Sequence, residues 1–142
     1  MPFEVQALPI NGTITATVLD PNGQVPERTI IQIPDDWAIN VRWSVAGNMV
    51  ALFSPTAQWH VKVSLESLGP GMDLKVVDVT EAMGAPAFAH NYDRTMNIPG
   101  NYPGLAAGAY KLVTVLTLEN AGTPAPIAGY VEGPVLQFYQ FP

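Results

Sequence analysis

Two histidines, twelve carboxylates and five tyrosines are the side chains from which this sequence could assemble chemistry. His60 stands in the stretch Trp59-His-Val-Lys-Val-Ser-Leu-Glu66, on the side that also carries Lys62, Ser64 and Glu66; His90 stands near Tyr92 and Asp93. A metal centre needs several His or carboxylate ligands converging at a recognisable spacing. Neither histidine has such companions, so each is expected to face solvent or accept and donate ordinary hydrogen bonds. No metal and no cofactor is expected. Asp35-Asp36 is the only adjacent acidic pair, and Asp20 with Asn22 occupies a turn. Calcium loops need more oxygen ligands than either supplies, and turn and cap chemistry accounts for both. A hydrolase would have to bring Asp35 together with Glu66 or Glu132 across a cleft, a pairing any chain rich in carboxylates permits. There is no Gly-x-Ser-x-Gly nucleophile turn, and proline interrupts Gly100-Asn-Tyr-Pro-Gly104 where a phosphate loop needs donors. A carboxylate-dependent hydrolase therefore ranks third, and the chain is expected to be non-catalytic.

Binding fits the residues better. Asn48-Met-Val-Ala-Leu-Phe-Ser54 lies between two strong strand patterns, in a connection longer and more apolar than a hairpin needs. The sequence leaves two coverings open: the loop folds over one end of the domain as a lid, or Met49, Leu52 and Phe53 pack into a neighbouring chain. The last strand poses the same question. If Leu136 and Phe138 face the core, then Val135, Tyr139 and Phe141 face out, to be covered by the N-terminal segment Phe3 to Ile10 or by a partner. The partner-binding candidates are thus Met49, Leu52, Phe53, Val135, Tyr139 and Phe141. A second function class, a small-ligand or carbohydrate-binding module, would use Tyr92, Tyr102 and Tyr130 as stacking platforms.

Composition narrows the partners. The net charge is −6, from 12 acidic against 6 basic residues, and the basic ones are scattered, which argues against nucleic acid and anionic membranes. Charged residues make up only 13%, well under the roughly 25% of an ordinary soluble domain, while 48% are hydrophobic. Such a surface suits either a Pro- and Gly-rich β protein or one partly buried in an assembly, where charge is costly to desolvate. Without cysteine there are no disulfides or thiolate sites. The N-terminus lacks the pattern of a signal peptide, and no apolar run reaches the ~18 residues of a membrane span. The expectation is a cytoplasmic chain, or one released without a cleaved signal, that binds protein partners or itself as a homo-oligomer.

The elements that must position these residues read as strands. Fourteen prolines and 12 glycines leave little room for long helices, and no linker or repeat divides residues 1–142, which are expected to form one domain. Gly108 to Leu118 is the longest β-type run: Tyr110, Leu112, Thr114, Leu116 and Leu118 share one face, Val113 and Val115 the other. A strand apolar on both sides is expected mid-sheet with something packed over each surface. Trp37 to Val45 alternates cleanly, with Trp37, Ile39, Val41, Trp43 and Val45 inward. Trp59 to Glu66 repeats the pattern, and Leu74 to Val79 is its expected hairpin partner. Thr13 to Leu19 suits an outer strand, and Pro26 marks Gln24 to Ile33 as an edge. Residues 80–108 look least regular, with a short strand at Arg94 to Ile98. Glu119 to Pro126 reads as a loop, and Gly129 to Gly133 as a bend or bulge.

Leu105-Ala-Ala-Gly-Ala-Tyr-Lys-Leu112 resembles the start of the penultimate strand in immunoglobulin-like and fibronectin type III-like modules. The resemblance implies an all-β, two-layer antiparallel sandwich of roughly seven to nine strands. It also implies that the Tyr110 hydroxyl bonds back to a nearby backbone group. The chain is longer than such a module and lacks the cysteine pair of antibody domains. Sandwiches of this kind serve many uses, so no activity follows from the likeness.

Overall fold

Alternation of apolar and polar residues builds nearly every element of the chain. A computed structural model describes residues 3–5, 11–19, 29–47, 57–84, 87–120 and 123–140. Among these residues there are nine strands and no helix: β1 (Phe3–Val5), β2 (Asn11–Leu19), β3 (Ile30–Gln32), β4 (Trp37–Ala46), β5 (Ala57–Ser67), β6 (Leu74–Ala82), β7 (Ala89–Ile98), β8 (Gly108–Asn120) and β9 (Thr123–Tyr139). The larger sheet runs β1-β9-β8-β5-β6, with β3 also paired to β9; the smaller runs β2-β4-β7. All pairs are antiparallel except β3 with β9. The expected two-layer all-β sandwich is what forms.

One hydrophobic cluster lies between the layers. From the smaller sheet, β4 contributes Trp37, Ile39, Val41, Trp43 and Val45; from the larger, β5 contributes Trp59, Val61, Val63 and Leu65. β8 adds Tyr110, Leu112, Leu116 and Leu118, and β9 adds Leu136 and Phe138. These are the faces expected from alternation. The layers meet through aromatic edges, Trp43 against Trp59 at 6.3 Å and Trp37 against Phe138 at 5.5 Å between centroids. Each buried Trp removes about 150–250 Å² from water, so these contacts dominate the apolar driving force.

Four local points bear on the sequence reading. First, β4 and β5 lie in different sheets, in keeping with a connection longer than a hairpin needs. Second, residues 89–98 form a full ten-residue strand. Its inward row is His90, Tyr92, Arg94, Met96 and Ile98 (two of the five carry ring nitrogens or charge), which blurs the alternation. Third, the supposed loop Glu119 to Pro126 belongs mostly to strands, and β9 is continuous from Thr123. Pro124 is in register with Glu119, just past a break in the β8–β9 register between Thr117 and Glu119. The second break falls opposite Leu112, where Gly133 and Pro134 form the expected bulge; a Cβ on Gly133 would press against Leu112 at 3.2 Å. Fourth, β8 is central as expected, but its Val113/Val115 face is not covered: Val115 is 38% exposed.

The turn after β3 is locked to the loop after β7. Asp36 accepts a hydrogen bond from the Gly100 amide (2.6 Å), and the Asn101 amide donates to the Ile33 carbonyl (2.8 Å). A Cβ at Gly100 would collide with the Pro34 carbonyl, which is why glycine stands there. Asp36 is thus a cap, as its sequence context implies, and the Gly100–Asn101 amides are spent within the fold.

Candidate interaction face

The outer face of the larger sheet is set by the side chains of β5, β6, β8 and β9 that alternate away from the core. Cross-strand register arranges them in rows: Glu66 beside Lys111 beside Val135, Ser64 beside Val113 beside Glu132, and Lys62 beside Val115 beside Tyr130. Ile30 extends the face beyond Gln137, with which it is in register. Seven large apolar side chains are exposed among the described residues, and four of them, Ile30, Val115, Tyr130 and Val135, share this one face. Tyr130 and Val135 are 53% and 52% exposed. Exposed apolar side chains gathered on one face in this way are a mark of interaction surfaces.

Charges stand among these apolar residues. Lys111 donates to Glu132 at 2.8 Å, and this bond raises the Lys111 pKa above its ordinary value. His60 lies between the Asp78 and Glu119 carboxylates, with Nδ1 at 3.4 Å from Glu119. The hydrogen bond from His60, then that from Lys75 (3.0 Å), lower the Asp78 pKa to about 2. Lys62 and Glu66, by contrast, have no ion-pair partner among the described residues.

The outer face of the smaller sheet has a different character. Its rows are Thr13–Ser44–Asn91, Thr15–Arg42–Asp93 and Thr17–Asn40–Thr95. Thr13 and Ser44 share a hydrogen bond of 2.7 Å, and Arg42 Nε pairs with Asp93 at 3.1 Å. Asn40 donates to both Asp93 (2.6 Å) and Thr95 (3.0 Å). A shallow concavity of about 420 Å³ opens here, and Asp93 is its sole carboxylate. Neither Asp35, Glu66 nor Glu132 lines it, and Glu132 is held by Lys111. Among the described residues no group of three or more His or carboxylate side chains is placed to hold a metal ion.

Of the six residues proposed from sequence as partner contacts, Val135 stands exposed on the larger sheet. Tyr139 is partly buried where β9 meets β3, and its carbonyl accepts from the Ile33 amide at 2.8 Å. Met49, Leu52, Phe53 and Phe141 lie outside the described residues. Of the three tyrosines considered as stacking platforms, Tyr130 alone faces out. Tyr92 stacks on Trp43 at 5.0 Å and donates to the Met83 carbonyl, and its burial raises its pKa. Tyr102 donates to the Lys75 carbonyl and packs on the core. His90 stacks on Tyr92, as an ordinary packed histidine does. Alternation alone does not mark Ile30, Lys62, Glu66 or Val115 as contacts. The usable signal is the second apolar face of β8, over which the sequence predicts a covering.

No protein-family model matches the sequence, and no curated protein shows significant similarity to it.

Proposed function

We propose that this chain is a non-catalytic interaction module that binds a protein partner or a further copy of itself through the outer face of its larger sheet. The observation that carries the reading is the grouping of Ile30, Val115, Tyr130 and Val135 on one face. The partner is a protein surface, since a chain of net charge −6 with scattered cations repels nucleic acid and anionic lipid. Among the described residues no helix is long and apolar enough to cross a membrane. A cysteine-free chain suits a cytoplasmic setting.

In this proposal the scaffold is immunoglobulin-like. Two features support that kinship. Strands β2, β4 and β7 form one layer while β6, β5, β8 and β9 form the other, with hairpins at β5–β6 and β8–β9 and the other successive strands from β4 onward changing layers. This is the allocation seen in immunoglobulin-type Greek-key sandwiches. Tyr110, near the start of β8, donates its hydroxyl to the Ala106 carbonyl at 2.8 Å, the tyrosine corner such folds use.

A small-ligand reading has the concavity of the smaller sheet in its favour, but the rings that line it, Trp43 and Tyr92, stack on each other, and Tyr92 and Tyr102 donate to backbone carbonyls of the fold. The test is a photo-reactive amino acid placed at Tyr130 and, separately, at Thr15 on the opposite outer face. Cross-links to protein from position 130 and none from position 15 support the proposal; silence at 130 overturns it.

A further inference from the structure

The larger sheet ends differently on its two sides. Beyond β9 it is extended by β1 and β3, so that side is already paired. At the other end, β6 pairs with β5 alone among the described residues. Its sequence, Leu74-Lys-Val-Val-Asp-Val-Thr-Glu-Ala82, holds three valines and no proline. An edge of that kind offers its backbone to a strand from another molecule. It always finds a match in its own counterpart, since two identical strands pair antiparallel about a two-fold axis.

Register decides which backbone groups of β6 point outward. The Met83 amide donates to the Ala57 carbonyl (3.1 Å), so Glu81, Val79 and Val77 also turn their backbone groups toward β5. Thr80 and Asp78 turn theirs away. Val63 is opposite Val77 and Ser64 opposite Lys75, so Val76 is an extra residue and Lys75 too faces away. Two of these outward acceptors are occupied from within the chain. Arg94 of β7 donates from Nη1 to the Thr80 carbonyl (2.9 Å) and lies 3.6 Å from the Glu81 carboxylate. Tyr102, in the loop after β7, donates to the Lys75 carbonyl (3.1 Å). Between these capped positions Asp78 stands alone in the outward row. A pairing strand needs acceptors at alternate residues in succession, and the edge does not offer them.

We propose that Arg94 and Tyr102 guard the β6 edge, holding it out of strand-to-strand pairing with a second copy of this chain. The guard acts on the edge and is independent of the outer face proposed above.

The test is sedimentation velocity on Arg94→Met, which keeps an apolar stem and loses the donor. This variant is expected to self-associate about tenfold or more tightly than wild type, since a two-fold pairing uses the freed Thr80 carbonyl once from each copy. Adding Thr80→Pro removes the outward amide without touching the β5 ladder, and is expected to return association to the wild-type level. Adding Tyr130→Asp instead charges the outer face and is expected to leave the new association intact. Far-UV circular dichroism and the melting temperature verify that each variant is folded. If Arg94→Met does not fold, Tyr102→Phe, which loses one hydroxyl, takes its place and is expected to shift association in the same direction by a smaller factor; an unchanged Tyr102→Phe then overturns the guard. A folded Arg94→Met that associates no more than wild type overturns it, as does association that survives Thr80→Pro. Association abolished by Tyr130→Asp also overturns the guard, and supports the outer face as the interaction surface.

Discussion

The two outer faces of this sandwich are made from the same strand geometry and treat their side chains in opposite ways. On the smaller sheet the outward residues satisfy one another: Thr13 with Ser44, Arg42 with Asp93, Asn40 with Asp93 and Thr95. On the larger sheet Val115, Tyr130 and Val135 are left bare, and Lys62 and Glu66 form no ion pair among the described residues. A face whose polar groups are already paired gains little from a partner, since docking must break or desolvate those pairs. A face with apolar area and unpaired charge gains from both. The contrast teaches that the second apolar side of a central strand need not mean a buried one.

The sharpest way to break that contrast is within β8, between neighbours on opposite sides. Leu116→Ala empties a fully buried site and is expected to cost about 2–5 kcal/mol in urea unfolding. Val115→Thr, one residue away, is expected to change stability by less than about 0.5 kcal/mol. If both cost the same, the outer side of β8 is core and the interaction face is lost.

A smaller effect sits among the charges of that face. Asp78 holds its proton less tightly in the fold than in the unfolded chain, about 2 against 3.8, because His60 and then Lys75 bond its carboxylate. The unfolded state therefore binds more protons between those values, so this contribution is complete above pH 4 and lost as pH falls toward 2. Asp78→Asn is expected to flatten the stability profile over that window. The effect is modest because the carboxylate is open to solvent. An unchanged profile overturns the assignment.

The smallest expected effect is on the other sheet. Arg42→Ala removes an exposed pair and is expected to cost about 0–1 kcal/mol, with no change in association state. A loss of association would move the interaction face to the smaller sheet.

How far the sequence foretold all this depends on how cleanly each strand alternates. β4 and β5 place five and four apolar side chains inward without exception, and both were legible to the residue. Only Arg94 to Ile98 of β7 is legible, because the segment is set among Ala, Gly and Pro; Arg94 reaches across to the Thr80 carbonyl at 2.9 Å and to Glu81, a tertiary pairing that no local pattern announces. The β9 segment was split because prolines and glycines sit within it, and only pairing with β8 shows that they mark register breaks. The candidate face was half visible. Val113, Val115 and Val135 were noticed, but which strands lie beside them, and so which charges border them, is decided by long-range register.

The pairing of β9 carries one further consequence. Phe3 is opposite Gly129, and Ile30 runs alongside Gln137, so both early strands wait for the same late one. A ribosome delivers β1 and β3 well before the segment that completes their ladders, leaving their amides to water meanwhile. Closure of the larger sheet therefore waits for β9 and is governed by contacts of the longest sequence separation, which makes it correspondingly slow.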